Sequence, residues 1–197
     1  MNISLHINDY RNKLDDGLKN LDHFMFKEVV NVLVNAFHAR ANIFVCGNGG
    51  SAAISEHFTC DHSKGINSNT NYFPKFISLT SNVSLLTAYA NDNGYTNVFS
   101  EQINNFAENG DVLIAITSSG NSPNIIKAVD TAKNLGLTVI TFTGFDGGIV
   151  RNKSYYNFHI PVNNYGVVED CHHIIMHMLA QYIRKRDTTV DLSKVKL

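Results

Sequence analysis

NIFVCGNGGS, at residues 42–51, joins an apolar run to a glycine-rich turn. The apolar part predicts a buried strand, and the residues after the turn predict a helix that begins at Ser51. Backbone N–H groups are unpaired at the start of a helix and the helix dipole is positive there, so such a junction binds anions, phosphate above all. The stretch therefore predicts a phosphate site at the end of a buried strand.

A second stretch, DVLIAITSSGNSP at residues 111–123, repeats this design. Its apolar part predicts another buried strand, its loop is dense in hydroxyl groups, and Pro123 suits the first turn of a helix. Neither stretch contains Gly-x-Gly-x-x-Gly or Gly-Lys-Ser/Thr, the motifs of nucleotide sites. The two loops together predict one site for the phosphate of a small metabolite.

The composition favours a soluble enzyme-sized domain in the cytoplasm. The chain has 197 residues, is 44% hydrophobic and carries a formal net charge of -1. These values predict one domain and argue against nucleic acid as a partner, because no basic run is present. Three scattered cysteines indicate reduced thiols, and we find neither a signal peptide nor an apolar run that could span a bilayer. No membrane association is expected.

Strands and helices alternate along most of the chain. We expect strands at Ile43–Cys46, Phe76–Leu79, Val112–Ile116, Thr138–Phe142 and Tyr156–Ile160. We expect helices at Asn8–Arg40 (with a break near Asp22), Ser51–His62, Val83–Ala90, Val98–Phe106, Ser122–Leu135 and Val167–Lys185. This alternation predicts an α/β three-layer sandwich, in which a five-stranded parallel sheet has helices on both faces. Residues 1–40 would form an N-terminal helical arm, 41–186 the α/β core and 187–197 a polar tail.

Several motifs resemble those of one known family. The loop pair CGNGGS and TSSGNSPN is similar to that of the SIS (sugar isomerase) domain family. The chain resembles the phosphoheptose isomerase branch of this family at four further places. They are His57-Phe58, ANDNGY at residues 90–95, TGFDGG at residues 143–148 and the histidines of the last helix. The resemblance implies a flavodoxin-like fold and an aldose–ketose isomerase that interconverts sedoheptulose 7-phosphate and D-glycero-D-manno-heptose 7-phosphate for surface polysaccharide synthesis. It also implies a homotetramer with active sites at subunit interfaces and one zinc ion per subunit.

The resemblance assigns roles to particular residues. The residues expected to bind the substrate or its phosphate are Asn48, Gly49, Gly50, Ser51, Asp92, Thr117, Ser118, Ser119 and Ser122. The metal set of the family corresponds here to His57, Asp61, Glu169 and His177. Of these, Asp61, Glu169 and His177 are also the expected catalytic residues.

Two of these positions depart from the family, which has Glu where this chain has Asp61 and Gln where it has Glu169. Aspartate is one methylene shorter, so its carboxylate is withdrawn by about one bond length, and a misplacement of about 1 Å can cost on the order of a hundredfold in rate. We therefore infer that Asp61 can remain a zinc ligand and that the proton-transferring carboxylate has moved to residue 169, although the sequence leaves the choice of base between Asp61 and Glu169 open. A different phosphosugar is compatible with this exchange.

The histidines of the last helix leave one choice open. The family match points to His172, whereas Glu169, His173 and His177 form a single stripe at 100° per residue. His173 is therefore a possible further ligand. His62 is expected at the surface or at an interface.

Two other functions compete with the one that the resemblance implies. The first is an isomerase or related enzyme for another phosphosugar, favoured by the changes at Asp61, Glu169 and Gly166. The second is a non-catalytic SIS-fold regulator or adaptor, which is disfavoured because every metal position still holds a residue able to bind zinc. A sensor attached to a DNA-binding domain is disfavoured by the lack of a basic helix-turn-helix segment.

Overall fold

A five-stranded parallel sheet forms the middle layer of the protein. The computed structural model describes residues 2–187, and the strand order is β2-β1-β3-β4-β5. The strands are β1 (Asn42–Gly47), β2 (Lys75–Ser78), β3 (Val112–Thr117), β4 (Thr138–Gly144) and β5 (Tyr156–Ile160). All five predicted strands are confirmed within two residues at each end, and every neighbouring pair is parallel.

Seven α-helices are present among the described residues. They are α1 (Ile3–Leu18), α2 (His23–Ala39), α3 (Gly50–Cys60), α4 (Val83–Asn93), α5 (Ser100–Phe106), α6 (Pro123–Asn134) and α7 (Tyr165–Asp187). Each predicted helix exists, and the expected break near Asp22 is confirmed because the Asp22 side chain caps α2. From residue 188 on, the predicted polar tail lies outside the described residues. Within residues 2–187 no helix is both long and apolar enough to cross a membrane.

Among the predicted helix boundaries that differ from the structure, two have clear local reasons. The first helix begins at Ile3 and not at Asn8, because the side-chain oxygen of Asn2 accepts hydrogen bonds from two backbone N–H groups of the first turn. The helix after the first glycine turn ends at Cys60, where it passes into a π-helix, Asp61–Gly65. π-Turns occur frequently at functional sites because they re-aim side chains, and this one begins at Asp61.

The two faces of the sheet bury separate apolar clusters. In β1, Ile43 and Val45 join the cluster beneath α2, α3 and α7, whereas Phe44 and Cys46 join the cluster beneath α5 and α6. This alternation follows from the two-residue period of a strand, and it explains why β1 is apolar at consecutive positions. The sheet is therefore covered on both faces, as predicted.

The helices that follow β1 and β3 lie on opposite faces of the sheet, and this arrangement determines the position of the site. The helix that follows β1 packs on one face of the sheet, whereas the helix that follows β3 packs on the other. Because β1 and β3 are neighbours, a crevice opens beyond their carboxyl ends, which is where ligands bind in open α/β sheets. Both predicted phosphate loops lie at this crevice.

Candidate active site

A narrow pocket lies between the two predicted phosphate loops. Its volume is about 130 Å³, and its lining residues are Asn48, Ser51, Ile116, Thr117, Ser118, Ser119, Ser122, Tyr165 and Glu169. The structure thus brings together all the predicted hydroxyl residues. Gly49 has φ of 56° at the turn into α3, a conformation that glycine adopts readily.

The chemistry of this pocket suits a phosphate group. Ser118 is buried, and its Oγ has no hydrogen-bond partner among the described residues. A buried hydroxyl without a partner is costly, so a phosphate oxygen in the pocket would satisfy it. The described residues that line the pocket include no lysine or arginine, so hydroxyl groups and helix N-termini must supply the attraction.

Glu169 is the charged residue of this pocket. Its carboxylate lies against Gly50, where even a methyl side chain would collide with it. Burial, together with the neighbouring Asp170, raises the pKa of Glu169 above its usual range. Glu169 is therefore placed beside the phosphate loops.

Asn48 connects the two loops. It exchanges two side-chain hydrogen bonds of 2.9 Å with Asn124 at the start of α6, and its Oδ1 also accepts one from the Tyr95 hydroxyl. The Asn48 amide therefore holds the crevice together, which the sequence did not indicate. The other predicted substrate residue, Asp92, is exposed near the end of α4 and lines neither this pocket nor the cavities that adjoin it.

Three histidines form a cluster next to the pocket. One ring nitrogen each of His57, His173 and His177 lies within 4.8 Å of the others, the arrangement of a metal-binding group. His57 comes from α3, whereas His173 and His177 are one turn apart on α7. Burial, and then the two neighbouring rings, lowers the pKa of His173, which favours the neutral form that binds metals.

Asp61 stands beside this cluster. Its Oδ1 is 3.3 Å from Nε2 of His57, and its Oδ2 is 3.4 Å from Nε2 of His177. Glu169, by contrast, lies outside the three-histidine group and one helical turn before His173. Of the predicted metal set, the structure thus brings together His57, Asp61 and His177, whereas Glu169 lies outside the group. The possible further ligand, His173, joins them.

The two remaining histidines of this region are buried. His172 has no exposed surface, and its Nε2 bonds the Thr143 carbonyl at 3.2 Å, so the open choice between His172 and His173 falls to His173. His62, expected at the surface or at an interface, is also fully buried and stacks on Phe58 with ring centroids 4.1 Å apart. That expectation was wrong because the π-helix turns residue 62 inward.

Tyr165 is a residue of the pocket that the sequence analysis missed. It lines the phosphate pocket from the start of α7, but no motif contains it. An aromatic residue at a helix start is ordinary, and only the packing reveals its position.

Comparison with known proteins agrees with this geometry. A family model described as the SIS domain matches residues 9–144. A phosphoheptose isomerase of Clostridium acetobutylicum is 37% identical over 161 residues, which cover 81% of each chain. One of Helicobacter pylori is 33% identical over 183 residues, covering 89% of this chain and 91% of its own.

Solved structures show the same likeness. The phosphoheptose isomerase of Francisella tularensis superposes with a TM-score of 0.84 at 28% identity, covering 94% of this chain and all of its own. That of Neisseria gonorrhoeae superposes with a TM-score of 0.82 at 28% identity, covering 93% and 97%. The chain therefore belongs to the SIS domain family and, within it, to the phosphoheptose isomerases.

Proposed function

We propose that this protein isomerises sedoheptulose 7-phosphate to D-glycero-D-manno-heptose 7-phosphate. The observation that carries the proposal is the position of the phosphate pocket relative to the histidine cluster. Glu169 faces the pocket, and His173 and His177 follow it on one stripe of α7, about 6 and 12 Å further along the helix axis. A phosphosugar held by its phosphate would extend along this stripe toward the cluster.

The donor set of the cluster suits zinc. Imidazole nitrogens and a carboxylate oxygen are common zinc ligands. His57, His173 and His177 bring one nitrogen each within 4.8 Å of the others, and the Asp61 carboxylate lies beside His57 and His177. When bound, the ion would act as a Lewis acid that polarises the oxygens of the reacting carbons. We propose one zinc ion per subunit held by these four residues.

The protein's own residues would move the proton. Interconversion of an aldose and a ketose removes a proton at one carbon and returns it to the neighbouring carbon, so a positioned base is required. Both oxygens of Asp61 already face imidazole rings, which leaves Glu169 as the free carboxylate between the phosphate pocket and His173, along the path of the sugar toward the cluster. We assign the proton transfer to Glu169 and the orientation of the cluster to Asp61, and His177 would serve the sugar oxygens.

The assembly and setting form part of the proposal. We propose a homotetramer, because α4 has no buried residue although it is rich in apolar side chains, among them Val83, which is 67% exposed. Exposed apolar side chains of this kind favour a subunit contact. We also propose a single SIS domain that acts in the cytoplasm to supply heptose for surface polysaccharide.

The direct test follows purified protein with sedoheptulose 7-phosphate by NMR, with added zinc and with a chelator. We expect conversion to the heptose 7-phosphate with zinc and its loss with chelator. A protein that binds the sugar phosphate but does not convert it would contradict the proposal and favour another phosphosugar or a regulatory role. The relatives that cover most of the chain do not favour those alternatives.

A further inference from the structure

Two cavities meet at the second phosphate loop. The phosphate pocket of about 130 Å³ and a neighbouring cavity of about 520 Å³ share Ser119 and Tyr165 in their walls. The larger cavity is lined on its other sides by Asn121, Phe145, Asp146 and Asn163. On this side, therefore, the side chains of the two shared residues separate the phosphate pocket from the open space of the larger cavity. Tyr165 is the larger of the two.

Phe145 holds Tyr165 in this position. The two rings meet edge to face, with centroids 4.7 Å apart and an interplanar angle of 70°. Phe145 has φ of 50°, a left-handed conformation that is rare for a bulky residue and that tends to be retained at functional sites. Glycine would adopt this backbone more easily, so the contact of the ring with Tyr165 is what the phenylalanine contributes.

The loop that carries Phe145 is fixed to the loop that carries Ser119. The N–H of Gly144 donates to the carbonyl of Ser118 at 2.8 Å, and the N–H of Val150 donates to the carbonyl of Gly120 at 3.1 Å. A side chain at Gly120 would collide with the backbone of Gly147, so the two loops are in direct contact. The Phe145 ring is thereby held at a fixed distance from the phosphate hydroxyls.

We infer that Tyr165, held by Phe145, restricts the pocket to terminal phosphate monoesters. A monoester bears one carbon substituent, which extends toward the histidine cluster, and it needs no space on the opposite side of the phosphorus. A diester or a diphosphate carries a second substituent, and this group would have to pass the Tyr165 ring to enter the larger cavity. The inference rests on the proposed function, because it takes the smaller pocket as the phosphate site.

The test compares two probes by calorimetry: glycerol 3-phosphate, a monoester, and glycerophosphoglycerol, a diester. For the wild-type protein we expect the diester to bind at least a hundredfold more weakly. In Tyr165→Ala this ratio should fall at least tenfold, chiefly through tighter diester binding. Phe145→Gly, which keeps the left-handed backbone, should shift the ratio in the same direction by a smaller factor.

Two control variants separate this role from general damage. Tyr165→Phe keeps the ring and should keep the wild-type ratio. Tyr155→Ala removes a tyrosine of similar exposure (65% against 62%) far from the pocket and should leave the ratio unchanged. An unchanged ratio in Tyr165→Ala would overturn this inference and leave the proposed function standing. Failure of the wild-type protein to bind either glycerol 3-phosphate or inorganic phosphate would overturn the phosphate site, and the inference with it.

Discussion

His173 is the residue that most changes the expected metal centre. A helical stripe with four-residue spacing places it between Glu169 and His177, and the structure brings its Nε2 to 2.5 Å from Nδ1 of His57. An imidazole here replaces a carboxylate as the second donor from α7, which leaves the cluster less negative than the predicted set. The affinity for zinc should therefore depend on residue 173 and not on residue 169.

We predict that His173→Leu lowers zinc affinity at least tenfold, because one of three nitrogen donors is lost. Competition with a chromophoric chelator measures this without reference to activity. His6→Leu, an exposed histidine of α1, is the matched control and should bind zinc as wild type does. Equal zinc affinity in His173→Leu and wild type would remove His173 from the metal site.

Glu169 combines two effects at one position. Its negative charge opposes a phosphate in the same pocket, while its carboxylate is the one we assign to proton transfer. Glu169→Gln keeps the shape and removes both the charge and the base. The two effects can be separated because the charge changes the affinity for phosphate, whereas the base changes kcat.

We predict that Glu169→Gln binds inorganic phosphate several-fold more tightly and lowers kcat by about a hundredfold or more, the range typical of a lost acid–base group. Calorimetry and the NMR assay measure the two quantities. Glu108→Gln lies at the amino ends of the strands, away from the pocket, and should change neither the phosphate affinity nor kcat. If kcat survives undiminished, proton transfer does not depend on Glu169.

At the level of elements, α1 is attached to the rest of the fold by a small patch. Gly17 is its buried residue, and a Cβ there would lie 2.9 Å from Sγ of Cys171 in α7 and 3.1 Å from Cγ2 of Ile160 in β5. The Tyr10 hydroxyl also donates to Asp170 of α7 at 2.7 Å. The close approach of the two helices at this point requires the absence of a side chain.

We predict that Gly17→Val separates α1 from α7 and lowers the free energy of unfolding by about 1–3 kcal/mol, the usual cost of overpacking. Urea unfolding measures the loss, and hydrogen exchange should show reduced protection in α1. Gly65→Ala is the control, because a Cβ at residue 65 meets no atom within 4 Å. Full protection of α1 in Gly17→Val would mean that the contact tolerates a side chain.

The elements also show what a sequence can and cannot predict. The strands were predictable because runs such as Val112–Ile116 are apolar at every position, a pattern that only a strand covered on both faces requires here. The phosphate loops followed from glycines and hydroxyls next to those strands. The π-helix was not predictable, since it depends on tertiary packing, and the inward turn of His62 and the placement of Asp61 depend on it.

Across the whole molecule, two fully buried histidines link stability to pH. Burial lowers the pKa of His62 to about 3 and that of His172 to about 4, and each ring has one nitrogen without a hydrogen-bond partner among residues 2–187. The unfolded chain protonates histidine below about pH 6.5. Between that pH and the lowered pKa values, the unfolded state binds more protons than the folded state, so stability falls as the pH falls.

We predict that this loss approaches about 1.4 kcal/mol per pH unit for each of the two histidines below pH 6.5. Urea unfolding at pH 7.5 and pH 5.0, with chelator present throughout, measures it. His62→Gln should lose about 2 kcal/mol less than wild type over this interval, because one buried ring no longer titrates. His23→Gln, at the exposed start of α2, should lose as much as wild type. An equal loss in His62→Gln and wild type would show that the acid sensitivity of the fold arises from other groups.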